Sequence, residues 1–348
     1  MHQHHYAVVS GINRYVSLDD LQGPVNDADA FQRWLVDPQG GGVPEENIIR
    51  VPASGNTDVI DADSVRPTAS GIFKKFTEIN KRLSAQLESS PQSWEESRLY
   101  GYLAGHGTAP GGTGCAVLMP SADEGGLVDH VEVQLLANWY AQSGPFREVV
   151  FFVDCCREEL DLLPCGPPLL QVWRSDELPS VVLGLAAERG QQSLEPAAAT
   201  GDEPLQGYFT AALLDGMRTA VDTAGRVTIP GLDDHVRRVV FRCTDRRQLA
   251  SVRLQQGLPV IVRREEPTQT YRIRVHFTDD VGDLVIRDEY EDLVVRSEAY
   301  KGTPWELSLP SGTYWIGPRA YVAGDPYCEF SVKGEGADVH YPTGTAAD

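Results

Sequence analysis

No segment of the 348-residue chain approaches the roughly eighteen consecutive apolar residues of a membrane-spanning helix, and Met1-His2-Gln3-His4-His5-Tyr6-Ala7-Val8-Val9 shows neither a long apolar core nor a cleavage site. The expectation is a cytoplasmic protein with no membrane partner. Positive charge is scarce: 30 Lys and Arg stand against 50 Asp and Glu, a net charge of −20. That balance argues against nucleic acid as a partner and would suit a basic substrate. The six cysteines, at 115, 155, 156, 165, 243 and 328, form no C-x-x-C pair and no secreted framework, so reduced thiols are expected. His2, His4 and His5 read as a solvated terminus, and His130, His235, His276 and His340 are scattered without ligand spacing. No metal and no cofactor is expected. Pro110-Gly111-Gly112-Thr113-Gly114 lacks the Lys-Ser/Thr of a phosphate loop and reads as a flexible flap.

With 41% hydrophobic and 23% charged residues, the chain has the composition of a globular protein and the length for a large domain plus a smaller one. Tyr6–Ile12 reads as a strand, followed by a helix capped by Asn26-Asp27 whose buried stripe is Ala28, Phe31, Trp34 and Leu35. A strand at Ile48–Val51 and a helix carrying Ile72, Phe73, Phe76, Ile79, Leu83 and Leu87 come next. Leu99–Ala104, Val149–Val153 and Val181–Ala186 are continuous apolar runs that suit central parallel strands, with helices near Val131–Gln142 and at Phe209, Leu213 and Met217. Repeated βα units imply an α/β fold with a mostly parallel sheet flanked by helices. After a linker at 265–270, Tyr271, Ile273, Val275 and Phe277 alternate with polar residues, as do Trp305, Leu307 and Leu309. The predicted organisation is a first domain over 1–264 and a small all-β sandwich over 271–348.

His106 and Cys156 each follow an apolar run, at the carboxyl ends of strands where reactive groups of open α/β sheets collect. A thiol with an ordinary pKa of about 8.5 becomes a strong nucleophile only when a base such as imidazole is brought close, so the pair points to cysteine-protease chemistry. Gly105 and Gly107 flank the histidine, which lets backbone approach a substrate and frees the Gly107 N–H to help hold an oxyanion.

Gly11-Ile12-Asn13 with Tyr15, Leu21-Gln22-Gly23-Pro24-Val25-Asn26-Asp27-Ala28, Gly105-His106-Gly107, Asp154-Cys155-Cys156, Ala187-Glu188 and Gly207-Tyr208-Phe209-Thr210 together resemble the caspase-like peptidases, closest to bacterial caspase homologues and metacaspases. Over residues 1 to 245 the resemblance implies a caspase-haemoglobinase-like sandwich. It makes Cys156 the nucleophile, His106 the general base and acid, Cys155 a buried neighbour, and the N–H groups of Gly107 and Cys156 the oxyanion hole. Where metacaspases carry His-Ser-Gly after the cysteine, this chain has Arg157-Glu158-Glu159, and Pro24 replaces a common cysteine. The bacterial group fits better, and calcium control is not expected. By the same resemblance Asp27 and Asp154 line the pocket for the side chain before the scissile bond, where two carboxylates favour Arg or Lys. Asp27 is also well placed as a first-turn helix residue.

The expected partners are therefore protein substrates with Arg or Lys before the cut. Segment 157–180 is long and rich in Pro and Gly, and its internal basic residue Arg174 is a candidate processing site for the protein itself or an upstream activating protease. By family analogy such an endopeptidase would serve regulated defence, stress or cell-death signalling. The alternative is a non-catalytic caspase-like adaptor whose β-domain binds a partner, a reading that the paired His106 and Cys156 disfavour.

Overall fold

The computed structural model describes residues 2–53, 65–112, 114–123, 128–158, 178–196, 204–222, 224–258, 260–264, 269–288, 293–318 and 327–341. Arg174 and the greater part of the 265–270 linker lie outside the described residues. The chain divides into two compact units, one of residues 1–220 and 229–260, the other of 221–228 and 261–348.

In the first unit, six strands form one sheet: β1 (His5–Gly11), β2 (Ile48–Val51), β3 (Arg98–Ala104), β7 (Glu148–Asp154), β8 (Ser180–Leu185) and β10 (Ser251–Gln256). Their order is β10-β8-β7-β3-β1-β2. All neighbours pair in parallel except β10 with β8. The centre of this sheet is buried on both faces, which is why β3 after Arg98 and β7 between Glu148 and Asp154 read as apolar runs. Side chains alternate between the faces. Leu103, Phe151 and Val153 share a core with α2 (Ala69–Ser89) and α3 (Val133–Ser143). Tyr102 and Phe152 turn the other way, the first stacked on and the second edge-on to Phe31 of α1 (Pro24–Val36), with α4 (Tyr208–Thr219) and α5 (Ile229–Cys243) completing that layer.

Several local expectations change. Helix α1 starts at Pro24, and its cap comes from a distant side chain: Asn13 Oδ1 accepts from the Val25 N–H at 2.9 Å, while its Nδ2 donates to Gln22 O. Asn26 instead donates to the carbonyls of Gln22 and Leu205. The helix expected from residue 131 begins at Val133, because His130–Glu132 is strand β6 of a small antiparallel sheet with β4 (Gly107–Thr108) and β5 (Ala116–Leu118). The Gly-rich flap joins β4 to β5 and is tied down where the Arg157 guanidinium donates to Gly114 O. His5 is buried in β1 with its ring stacked on His2 at 4.3 Å, so the solvated reading fails for His5, while His2 is exposed as expected.

The second unit is all-β. A three-stranded sheet holds β15 (Trp305–Leu309), β12 (Tyr271–Phe277) and β18 (Ala337–Tyr341), and a four-stranded antiparallel sheet holds β14 (Leu293–Ala299), β13 (Gly282–Asp288), β16 (Gly312–Pro318) and β17 (Cys328–Val332). Ile273, Val275 and Trp305 from the first sheet pack in one core with Leu284, Ile286 and Ile316 from the second, the arrangement of a small sandwich. The short strands β9 (Arg226–Thr228) and β11 (Ile261–Arg264) pair antiparallel within the same unit. No helix among the described residues is long and apolar enough to cross a membrane.

Candidate active site

The register of β3 and β7 sets the site. Ala104 pairs with Asp154, and the Gly105 N–H donates to Asp154 O at 3.1 Å, so His106 and Cys156 leave neighbouring strands at the same level. Adjacent strands lie about 4.8 Å apart. Both residues line one cleft of about 260 Å³, together with Asp27, Asp154, Glu158 and Glu195 among others.

His106 is held by two hydrogen bonds, one from its ring and one from its backbone. His106 Nε2 lies 2.8 Å from the carbonyl of Asp19, and the His106 N–H donates to the Tyr15 hydroxyl at 2.8 Å. A carbonyl oxygen only accepts, so the Nε2 carries the proton and the Nδ1 of the neutral ring is the free base. The Tyr15 ring meets the imidazole edge-on at 4.7 Å between centroids. These contacts explain the motif residue Tyr15 and add Asp19, whose backbone role leaves no trace in the sequence.

The two adjacent cysteines part company. Cys155 is buried, 3.7 Å from Cys115 Sγ, and its thiol is pushed well up by that neighbour and by burial. Cys156 faces the cleft, and its thiol donates to Ser193 O at 3.8 Å. Burial also pushes the Cys156 thiol up, with Glu158 and Asp154 adding to the effect. The resting sulfur is therefore a neutral thiol that needs a base. Gly107 must be glycine because a Cβ there would meet Cys155 Sγ at 2.3 Å and Cys156 O at 2.7 Å.

Two buried carboxyls form the floor. Asp27, 1% exposed, accepts the Gly207 N–H at 3.0 Å, and burial followed by the nearby Asp154 raises its carboxyl to about 9. Asp27 does sit in the first turn of α1, as its alternative reading had it, while its carboxylate reaches across to the start of α4. Asp154 accepts 2.6 Å hydrogen bonds from the Ser193 and Thr210 hydroxyls, and burial raises its carboxyl too. At Gly207 a Cβ would lie 2.8 Å from Asp154 Oδ2 and 3.1 Å from Asp27 Oδ2, so only a bare backbone fits between the acids.

Sequence reasoning missed a third acid. Glu195 accepts from the Gly23 N–H at 2.7 Å and the Gln22 N–H at 3.4 Å, satisfying free donors at the start of α1 while lining the cleft. Its segment is fixed from behind by the buried Gln248, which accepts the Leu194 N–H at 2.9 Å and donates to Ala186 O at 2.8 Å. The one available signal was its position in the loop beyond a strand's carboxyl end. No Lys or Arg stands among the cleft-lining residues described.

The profile of the caspase domain matches residues 4–258. A probable protease from a Desulfuromonadales bacterium is 29% identical over 230 residues, which is 61% of this chain but 26% of that relative. The match therefore spans about a quarter of the relative's length. Among solved structures, caspase-1 from Spodoptera frugiperda aligns with a TM-score of 0.45 at 16% identity, covering 76% of this chain and 91% of that one. A Geobacter sulfurreducens protein aligns with a TM-score of 0.44 at 12% identity, covering 76% and 97%. By the profile match over residues 4–258, the chain belongs to the caspase-domain family of peptidases.

Proposed function

We propose that the chain is a cysteine endopeptidase that cleaves proteins after Arg or Lys. The observation that carries this reading is one cleft with Cys156 and His106 at its rim, the acids Asp27, Asp154 and Glu195 beside them, and no cation among the described lining residues. A guanidinium or ammonium entering there finds acids that can serve as charge-assisted acceptors, whereas a carboxylate would find no cation to pair with.

In the proposed reaction, His106 Nδ1 takes the thiol proton and the Cys156 sulfur attacks the scissile carbonyl carbon. The oxyanion is held by the N–H groups of Gly107 and Cys156. Support for Gly107 comes from the ladder: Leu118 N donates to His106 O, and donors alternate along an antiparallel pair, so the Gly107 N–H turns away from β5. The imidazolium then gives its proton to the leaving amine as the C–N bond breaks. Water hydrolyses the thioester by the same proton path and returns the thiol.

Fluorogenic peptides that differ only in Arg, Lys or Asp before the scissile bond test the reading. Arg and Lys peptides should be cut and the Asp peptide should not. Cys156→Ala should abolish turnover, and Cys155→Ala should keep most of it. Faster cleavage after Asp, or loss of activity with Cys155→Ala alone, would refute it. Processing after Arg174 belongs to the same proposal, since that residue would be a substrate for the same pocket.

A further inference from the structure

The strand that carries the nucleophile presents acids on both sides of it. Residues two apart on an extended strand share a face. Asp154, Cys156 and Glu158 all line the cleft, while the intervening Cys155 turns to Cys115 and Arg157 sends its guanidinium to Gly114 O and Ala187 O. The chain stays extended past the nucleophile: Glu158 bridges Thr108, the Ala109 N–H donates to Glu158 O at 3.0 Å, and Arg157 exchanges backbone bonds with Gln191 and Gly190. At about 3.3 Å per residue, the acids stand on the order of 7 Å from Cys156 in opposite directions.

Glu158 does no visible structural work with its charge. Its carboxylate is exposed, and among the described residues its partner is the neutral Gln192 amide at 3.0 Å; the tie to Thr108 is made by its backbone carbonyl. Asp154 belongs to the pocket proposed for the side chain before the cut, so Glu158, on the opposite side of Cys156, would face the leaving half of the substrate. His106, abreast of Cys156, protonates the departing amine in the proposed reaction, and Thr108, two residues beyond it, is abreast of Glu158.

From this we infer that Glu158 is a specificity-determining residue for the leaving half of the substrate, selecting a basic side chain at the first or second position after the scissile bond. The inference rests on the proposed cleavage after Arg or Lys, and together they make the preferred target a cluster of basic residues cut internally. The pair would form at an exposed site, so its effect is moderate, about two- to fivefold in kcat/KM.

Quenched fluorescent peptides with Arg before the bond, carrying Lys, Gln or Glu at each of the two positions after it, provide the test. Wild type should cut in the order Lys, Gln, Glu at one of these positions. Glu158→Gln should flatten the series, and Glu158→Lys should invert it. Retention of Arg over Asp before the bond reports that both variants are folded with the first pocket intact. Equal rates for the three peptides in wild type, or an unchanged order in Glu158→Lys, would overturn the inference and leave cleavage after Arg standing. If no Arg peptide is cut at all, the underlying reading fails and the role of Glu158 falls with it.

Discussion

Asp27→Asn is expected to stabilise the resting protein at neutral to alkaline pH while weakening cleavage after Arg. The folded-state carboxyl is raised from 3.8 to about 9, first by burial and then by Asp154. In the unfolded chain the same group ionises near its ordinary value. Between these limits the folded protein keeps a proton that the unfolded chain releases, so stability is highest below the lower limit and declines as pH rises towards the upper one. The slope for one proton is about 1.4 kcal/mol per pH unit, which makes Asp27 responsible for a loss of about 4 kcal/mol between pH 5 and pH 8. Asparagine keeps an oxygen to accept the Gly207 N–H but has no acid to titrate. Urea unfolding of both proteins at pH 5, 6.5 and 8 should give similar stabilities at the lowest pH and an advantage for Asn of about 2–4 kcal/mol at the highest. Activity should move in the opposite direction, with kcat/KM for an Arg peptide falling about a hundredfold once a charge-assisted acceptor is lost. Parallel pH profiles for the two proteins would mean that Asp27 is already ionised in the resting cleft, and the reasoning from burial would be wrong.

Glu195→Gln should lower kcat/KM for Arg peptides about ten- to a hundredfold, yet change stability by no more than about 1 kcal/mol, because glutamine still offers an oxygen to the start of α1. A stability loss well beyond that, with Arg cleavage unchanged, would make Glu195 a cap and nothing more. If segment 157–180 is processed, intact-mass analysis after prolonged incubation should find wild type cut after Arg174, with Arg174→Ala and Cys156→Ala remaining whole. A wild type that stays one chain while cleaving Arg peptides at full rate would exclude processing as a requirement.

The fold was legible in the sequence where burial is complete. The middle of a strand covered on both faces must be apolar, so β3 and β7 declared themselves, and the positions beyond their ends pointed to His106 and Cys156. What stayed hidden depends on polar contacts between residues far apart in the chain. Asn26 and Asp27 have the composition of a helix cap, but the cap is Asn13, and Asp27 is drawn away by a Gly207 N–H 180 residues later. Glu195 carries no local pattern at all, since its partners at Gln22 and Gly23 lie more than 170 residues upstream. Strand β6 was masked by its polar ends, His130 and Glu132, which are buried against expectation.

These hidden contacts belong mostly to the cleft, and the reason is physical. A site that binds a cation must hold acids away from water before the cation arrives, and each such acid raises the free energy of the empty protein. The chain limits that cost with backbone N–H groups from Gly23 and Gly207 and hydroxyls from Ser193 and Thr210. Burial still outweighs these donors, as the raised Asp27 and Asp154 carboxyls show. An arriving guanidinium would return Asp27 to its charged form and release the proton it holds. On the proposed specificity, substrate binding and loss of that proton would be one event, and the acids that make the empty cleft unfavourable are those that would make it selective.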